Sequence, residues 1–440
     1  MAMTTGQPEA EAQEPPAAAG KKGDLLRYNS PLAQVSLLGL ICFCCPGMFM
    51  ALSGLGGGGQ LDNTAADNAN TAIYACFAVF GVLGGAVHNL LGPRFTLLLG
   101  ALTYPLYAVS FLYYNHRHSQ GFPVAAGVLL GDRRGSYISL FWCLFTLGGV
   151  LGGLIPFSFN YNRSADTASV NDGTYIAFMA FMLLGAALTL LVLPQRRIVR
   201  NDGSRVTLVT FSSPATEGAE ILRLFANWGM LLVLVPAWAS NFFITYQFNH
   251  VNGGLFTLRT KGLNNVFYWG AQMLGSAGIG YFLDFSFSSR RKRGLVGVAL
   301  RYNDIDIKAG KNVIDNPIDF KQGHRYCGPF LLYFSYGLLD AMFQNLIYWI
   351  IGALTNDSQI LSRYAGFYKG VQSAGAAVAW QIDTKKISLL SQLIVNWGLM
   401  AVSYPLLAIL VFLAVKDEDN SVSSVEDGKD SKLSAPTSFH

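Results

Sequence analysis

One carboxylate is conspicuous for its surroundings. Asp340 falls in the middle of the apolar stretch 328–354, with Gln344 four residues on and Tyr336 four residues back. On a helix these three share one face, with Tyr333 and Tyr348 near it. A charge at that depth costs several kcal/mol unless it is paired or faces water. Lys369, early in the next apolar stretch, is a candidate partner. Two chemistries fit: binding of a substrate or proton at Asp340, or a structural Asp–Lys or Asp–Tyr bond between helices. Gln372, Trp380 and Gln381 on that next stretch either line the same cavity or pack. Asn241, Thr245, Tyr246, Gln247 and Asn249 gather near the end of the stretch 227–246. They read either as a solute mouth or as the point where a helix leaves the bilayer.

A second constellation is Gly280-x3-Asp284, followed by Arg290, Arg291, Lys292 and Arg293. A carboxylate at a helix end can pair with arginine and cap a neighbouring helix, latching one arrangement of two rocking bundles. The alternative is solvated charge at the membrane surface. The corresponding turn near the N-terminus offers His88, Asn89, Gly92 and Arg94 but no acid, so such a latch is stronger in the second half. Asn162-Arg163-Ser164 and Asn356-Asp357-Ser358 match the acceptor pattern for N-glycosylation.

Other chemistry finds little support. The six histidines lack metal spacing, and His116-x-His118 reads as a loop pair. No G-x-S-x-G, H-E-x-x-H or Walker pattern occurs. The run Gly54, Gly56 to Gly59 lacks the following Lys-Ser/Thr of a phosphate loop, and suits close helix approach or a turn. The six cysteines lie in or beside apolar segments and imply neither disulfides nor a metal site. The expectation is therefore a non-enzyme without metal or cofactor, and one that does not bind nucleic acid.

The elements that must position these residues follow from composition. The chain has 440 residues, 52% hydrophobic and 13% charged, with mean hydropathy +0.35 and net charge +5. Soluble domains carry about 25% charged residues. Ten apolar spans are expected, at 33–55, 70–91, 95–114, 137–156, 173–193, 227–246, 264–285, 328–354, 362–382 and 389–415. Two apolar pieces, Phe122–Gly131 and Gly294–Leu300, are too short to cross a ~30 Å hydrocarbon core. Yet counting both as crossings puts Arg94, Arg133–Arg134, Arg196–Arg200 and Arg290–Arg293 all on the cytoplasmic side, as the positive-inside rule requires. The charge pattern thus favours twelve spans, the fourth and ninth shortened, with both termini inside. On this plan Asn162 lies outside and Asn356 inside.

An internal repeat agrees. Asn70-x3-Tyr74-x6-Gly81-x2-Gly84 and Asn264-x3-Tyr268-x6-Gly275-x2-Gly278 match at four positions, in the second and eighth spans. Two six-helix halves related by an axis along the membrane normal would give this. The expected organisation is a disordered cytoplasmic tail at 1–30, a bundle at 31–193, a cytoplasmic linker at 194–224, a bundle at 225–415 and a second tail at 416–440.

Several stretches resemble the Unc-93-like branch of the major facilitator superfamily, as found in fungi. They are Cys42 to Phe49 (CFCCPGMF), Ala51 to Gln60 (ALSGLGGGGQ), Gly280 to Asp284 (GYFLD) with its basic run, Tyr333 to Gln344 (YFSYGLLDAMFQ) and Gly370 to Gly375 (GVQSAG). The resemblance covers roughly residues 30–415. It implies an all-α, polytopic, two-bundle facilitator fold with a central cavity in a multi-pass membrane protein. The implied activity is movement of an unidentified small solute by alternating access, with proton coupling through Asp340 left open. Some animal members resemble trafficking or channel-associated subunits. A non-transporting subunit acting through a membrane-protein partner, or a shortened gene model of a transporter, therefore stand as alternatives.

Overall fold

The structure is a computed structural model that describes residues 27–60, 62–80, 84–131, 140–162, 169–194, 197–199, 219–220, 222–285, 317–355 and 357–415. The helices are α1 (Pro31–Ser53), α2 (Thr64–Phe80), α3 (Gly84–Arg117), α4 (Gly121–Gly131), α5 (Leu140–Phe159) and α6 (Asp172–Leu188). Then come α7 (Trp228–Leu255), α8 (Leu258–Phe285), α9 (Gly323–Leu354), α10 (Ser358–Thr384) and α11 (Leu389–Ala414).

Among the described residues, six stretches are long and apolar enough to cross a membrane: α1, α6, α7, α9, α11 and the Leu97–Arg117 part of α3. α2 lies against α10 and α5 against α8, so these four face one another across the middle of the molecule. Three of them, α2, α8 and α10, therefore carry Asn, Gln, Asp or Lys that a lipid-facing helix cannot, whereas α5 carries none of these. The outward surfaces show the opposite composition: Leu183, Leu184, Ile394, Trp397, Phe412 and Leu413 are all exposed. In water so much exposed apolar area would drive association, whereas acyl chains solvate it.

Two separate apolar cores fill the bundles. Phe49, Tyr107, Phe111 and Phe178 centre one, built by α1 to α6. Phe343, Phe367, Leu407 and Leu410 centre the other, built by α7 to α11. The same close approaches recur in each. A Cβ on Gly127 of α4 would meet the Ala69 carbonyl of α2 at 2.5 Å, and a Cβ on Gly337 of α9 would collide with the Tyr268 carbonyl of α8. Likewise Gly148 of α5 abuts the Phe43 carbonyl of α1, and Gly375 of α10 abuts the Trp238 carbonyl of α7, each at 2.5 Å. Small residues let membrane helices touch backbone to backbone. Helix α4 thus packs on α2 as α9 packs on α8, although its 11 residues rise only about 16 Å. The repeated asparagines also behave alike, each accepting from a tyrosine of a neighbouring helix. Asn70 receives the Tyr107 hydroxyl at 2.9 Å and Asn264 the Tyr326 hydroxyl at 2.8 Å.

The first helix of each bundle is widened by a π turn, Phe43–Gly47 in α1 and Tyr246–Asn252 in α7. Pro46 lies within the first and supplies no N–H to the ladder. Such turns put backbone and side chains out of helical register, often at functional sites.

Two sequence expectations change. Helix α3 runs unbroken through Pro93, where a turn between the second and third spans is expected. Protein neighbours can absorb a proline within a membrane helix. Helix α7 continues to Leu255 instead of ending near 246, so Asn249 is buried inside it and does not mark an exit to water. The short apolar piece at 294–300, the tails at 1–26 and 416–440 and the linker residues 200–218 lie outside the described residues.

Candidate functional site

Asp340 lies midway along α9 and is 1% exposed. Its burial follows from Gly337, one turn earlier, which lets α8 close to backbone contact. That contact brings two α8 side chains onto the carboxylate. Gln272 Nε2 donates to Asp340 Oδ2 at 2.6 Å and the Tyr268 hydroxyl donates to the same oxygen at 3.4 Å. From its own helix, Gln344 Nε2 donates to Oδ1 at 2.8 Å.

A polar chain leads away from Gln344. Its Oε1 lies 3.2 Å from Gln372 Nε2 of α10, which also reaches Ser240 Oγ at 2.9 Å and Asn241 Oδ1 at 3.2 Å on α7. Lys369 Nζ donates to Gln372 Oε1 at 2.8 Å, and lies 5.4 Å from the Tyr348 ring and 5.6 Å from that of Tyr368. A cation over tyrosine faces is favourable where water is scarce. Four helices thus converge on one line of groups, from an ammonium through two amides, Gln372 and Gln344, to a carboxylate. Such a line can accept and donate hydrogen bonds and can take up or release a proton without moving backbone.

The structure therefore brings together Asp340, Gln344, Gln372, Asn241 and Lys369. Tyr336 is half-buried and packs with Phe248, Tyr268 and Tyr333 in an aromatic cluster beside the site. Tyr246 lies elsewhere, its ring 5.8 Å from that of His250. Gly280 is on α8. The Asp284 and Arg94 side chains and the residues Arg290, Arg291, Lys292 and Arg293 lie outside the described residues, as do Arg163, Ser164 and Asn356; Asn162 is exposed. The sequence reading missed Tyr268 and Gln272. Tyr268 stands in the repeat, and Gln272 is one turn further on the same face; those were the available signals.

Asn249 anchors a second polar junction, at the bundle end where α2, α8 and α11 begin. Its Nδ2 donates to Asp67 Oδ1 of α2 at 2.7 Å and to Asp383 Oδ2 of α10 at 2.8 Å, while its Oδ1 accepts from the Gly57 N–H at 2.8 Å. His250 Nε2 bonds Asp383 Oδ1, and Gln392 Nε2 donates to that oxygen at 3.2 Å. The glycine run makes this possible. Gly56 has φ +79°, and a Cβ there would meet the Phe248 carbonyl at 2.5 Å; only glycine combines that backbone with that approach.

A third junction caps the same end. Arg259 Nε donates to Asp319 Oδ2 at 2.6 Å, joined by the Thr257 hydroxyl at 2.9 Å and, at Oδ1, the Lys321 N–H at 3.0 Å. Arg259 also donates to the Tyr161 carbonyl at 3.0 Å, tying the loop before α9 to the end of α5. Burial pushes the Asp319 carboxyl up, but these donors outweigh it and hold the group below the usual carboxylate range. A carboxyl lowered on folding adds stability above its unfolded value of about 3.9 and loses it as pH falls through the folded value. Asp319→Asn is therefore expected to cost about 1.5–3 kcal/mol at pH 7. The melting temperatures of wild type and variant should converge as the pH is taken below 4; a gap that persists there would assign the loss to packing.

Two bundles with membrane-length apolar helices, the second holding a buried polar line, define a multi-pass membrane protein of transporter-type fold. The chain belongs to the UNC93-like family of major-facilitator-fold proteins. It is 58% identical over 430 residues to UNC93-like protein 1 of Arabidopsis thaliana, covering 90% of this chain and 94% of that one. It is 36% identical over 427 residues to an UNC93-like protein of Schizosaccharomyces pombe, covering 89% and 84%. Among solved structures, the fold is similar to that of a D-xylose-proton symporter, with TM-score 0.57 at 14% identity over 87% of this chain and 97% of the other. No protein-family model matches the chain.

Proposed function

We propose that the protein is a secondary transporter that moves a small hydrogen-bonding solute by alternating access, through a cavity bordered by the Asp340 line. The carrying observation is the convergence of Asp340, Gln344, Gln272, Gln372 and Asn241 at mid-depth, from four helices of one bundle. A buried carboxylate in lipid is expensive, and it is retained where it serves a solute or proton path. Amides and hydroxyls around a single acid suit a neutral or cationic solute that exchanges hydrogen bonds with them. The symporter of similar fold names a proton as co-substrate, and Asp340 is the group we assign to that role here.

The two apolar cores support functional units at 31–193 and 225–415, joined by a linker at 194–224, with the pairs α2–α10 and α5–α8 as the sliding seam. Rocking about that seam would expose the polar line to either side in turn. Flux of candidate polar solutes into proteoliposomes, with an internal pH dye, tests the reading. Solute uptake with concurrent internal acidification supports it, and uptake without any pH change removes the proton from it.

The proposed topology carries its own expectation. Asn162 is exposed, just past the end of α5. In a eukaryotic host with a glycosylation pathway, endoglycosidase should shift the wild type and leave Asn162→Gln unshifted. A shift retained in Asn162→Gln but lost in Asn356→Gln would invert the orientation.

A further inference from the structure

The second junction brings two acids from different bundles onto one nitrogen. Asp67 is on α2, whose Ala66, Ala69 and Ile73 belong to the first core, and it is 2% exposed. Asp383 is on α10, whose Phe367, Tyr368 and Val371 belong to the second, and it is 7% exposed. Both accept from Asn249 Nδ2, at 2.7 and 2.8 Å, and the amide oxygen is already taken by the Gly57 N–H. An amide nitrogen has two hydrogens and no charge. It can bridge two carboxyls but cannot neutralise either.

Two buried carboxylates at that separation cannot both be ionised cheaply, as paired acids elsewhere show by sharing one proton. The charged neighbours do not remove the problem. From α7, His250 binds Asp383, so its protonation would balance that acid alone. From the loop before α2, Asp62 adds further negative charge near Asp67, and Lys386, in the turn after α10, is in Coulombic reach of Asp62. From α3, the Tyr107 hydroxyl is committed to Asn70. From α11, Gln392 contributes only a neutral amide to Asp383. Asp67 is left without a cation of its own in this set. One turn inward on α10, the indole N–H of Trp380, 2% exposed and packed near Tyr74 of α2, finds no hydrogen-bond partner among the described residues.

We propose that Asp67, Asn249 and Asp383 form a proton-binding site that bridges the two bundles at this end, separate from Asp340. With the proton bound, one carboxyl is neutral, the Asn249 bridge holds and α2 stays against α10. When the proton leaves for water at the mouth, two carboxylates face each other across the seam and repel, and the seam opens at this end. By the charge distribution this is the end away from the cytoplasm. The site rests on the two-bundle reading but on no particular solute, so its test needs none.

The test uses the full chain in lipid nanodiscs, with Cys327→Ser and spin labels at Arg117→Cys and Lys385→Cys. Arg117 and Lys385 are exposed at this end, on α3 and just after α10. Pulsed dipolar spectroscopy reads their separation from pH 5 to pH 9. A single short distance at acid pH, shifting to a longer population as the pH rises, is the expected result. Asp67→Asn, which cannot ionise, should keep the short distance throughout. Should that variant fail to fold, Asp383→Asn carries the same expectation. A wild-type distance that does not move between pH 5 and 9 would overturn the proposal. So would a pH-driven shift that survives in both variants. Neither result would touch the assignment at Asp340, which is read by solute flux.

Discussion

Replacing Asp340 by asparagine should cut uptake by about tenfold or more while leaving the amount of folded protein unchanged. The substitution conserves shape, so Gln272, Gln344 and Tyr268 can still approach. It removes the charge and one acceptor, and each amide donor then faces an NH2 group or a weaker carbonyl. A hydrogen bond to a charged group is worth about 1.5–3 kcal/mol, and two such bonds end on this carboxylate at 2.8 Å or less. At about 1.4 kcal/mol per tenfold, loss of one or two of them, about 1.5–6 kcal/mol, predicts a drop in uptake of about 10- to 20,000-fold. Asp340→Glu should recover part of it by keeping the charge. Normal uptake by Asp340→Asn at normal surface abundance would reduce the residue to an interhelical tie. Gln344→Leu should fall between, since it breaks the line from Asp340 toward Lys369 but leaves the acid in place.

The second large effect is structural. Gly337→Val should unfold or split the second bundle. A Cβ on Gly337 runs into the backbone of Tyr268, and one on Gly275 would meet the Leu338 carbonyl at 2.5 Å. The two helices therefore touch from both sides, with no flexible side chain available to yield. Overpacking a well-filled interior costs about 1–3 kcal/mol, and a clash with main chain belongs at the top of that range. The melting temperature in detergent should fall by several degrees, with loss of the monodisperse peak. Gly352→Val on the same helix is the control, because a Cβ there meets nothing within 4 Å. Equal losses from both would mean that helix propensity, not the α8–α9 contact, decides. Uptake should fail alongside stability at Gly337, since the same contact delivers Gln272 and Tyr268 to Asp340.

What the sequence made legible was governed by chemistry that does not depend on neighbours. Low charge and long apolar runs required lipid-facing helices, and the basic clusters and the Asn-Tyr-Gly-Gly repeat pointed to two related halves. Asp340 was visible because an acid in an apolar stretch has few explanations. Its partners on α8 were not, because nothing local to Gln272 shows which helix will face it; backbone contact at Gly337 and Gly275 settles that. The outer junction was hidden by a boundary effect. Starting the second span at 70 and ending the eleventh at 382 left Asp67 and Asp383 just outside, where acids need no explanation. The structure begins α2 at Thr64 and ends α10 at Thr384, which brings both acids inside. Helix ends are set by tertiary caps and junctions, which hydropathy does not register. Similarly, Tyr246 shares a polar stretch with Asn241 in sequence. Five residues turn a helix by about 140°, so Tyr246 lies on another face, its ring beside that of His250 one turn on.

The most direct test is a counterflow experiment. Proteoliposomes of wild type, Asp340→Asn and lipid alone are loaded with a mixture of small polar metabolites, and the retained and exchanged species are read by mass spectrometry. At least one hydrogen-bonding solute should exchange through the wild type and not through Asp340→Asn or bare lipid. Identical contents in all three, with both proteins folded and inserted, would contradict transport through the Asp340 line.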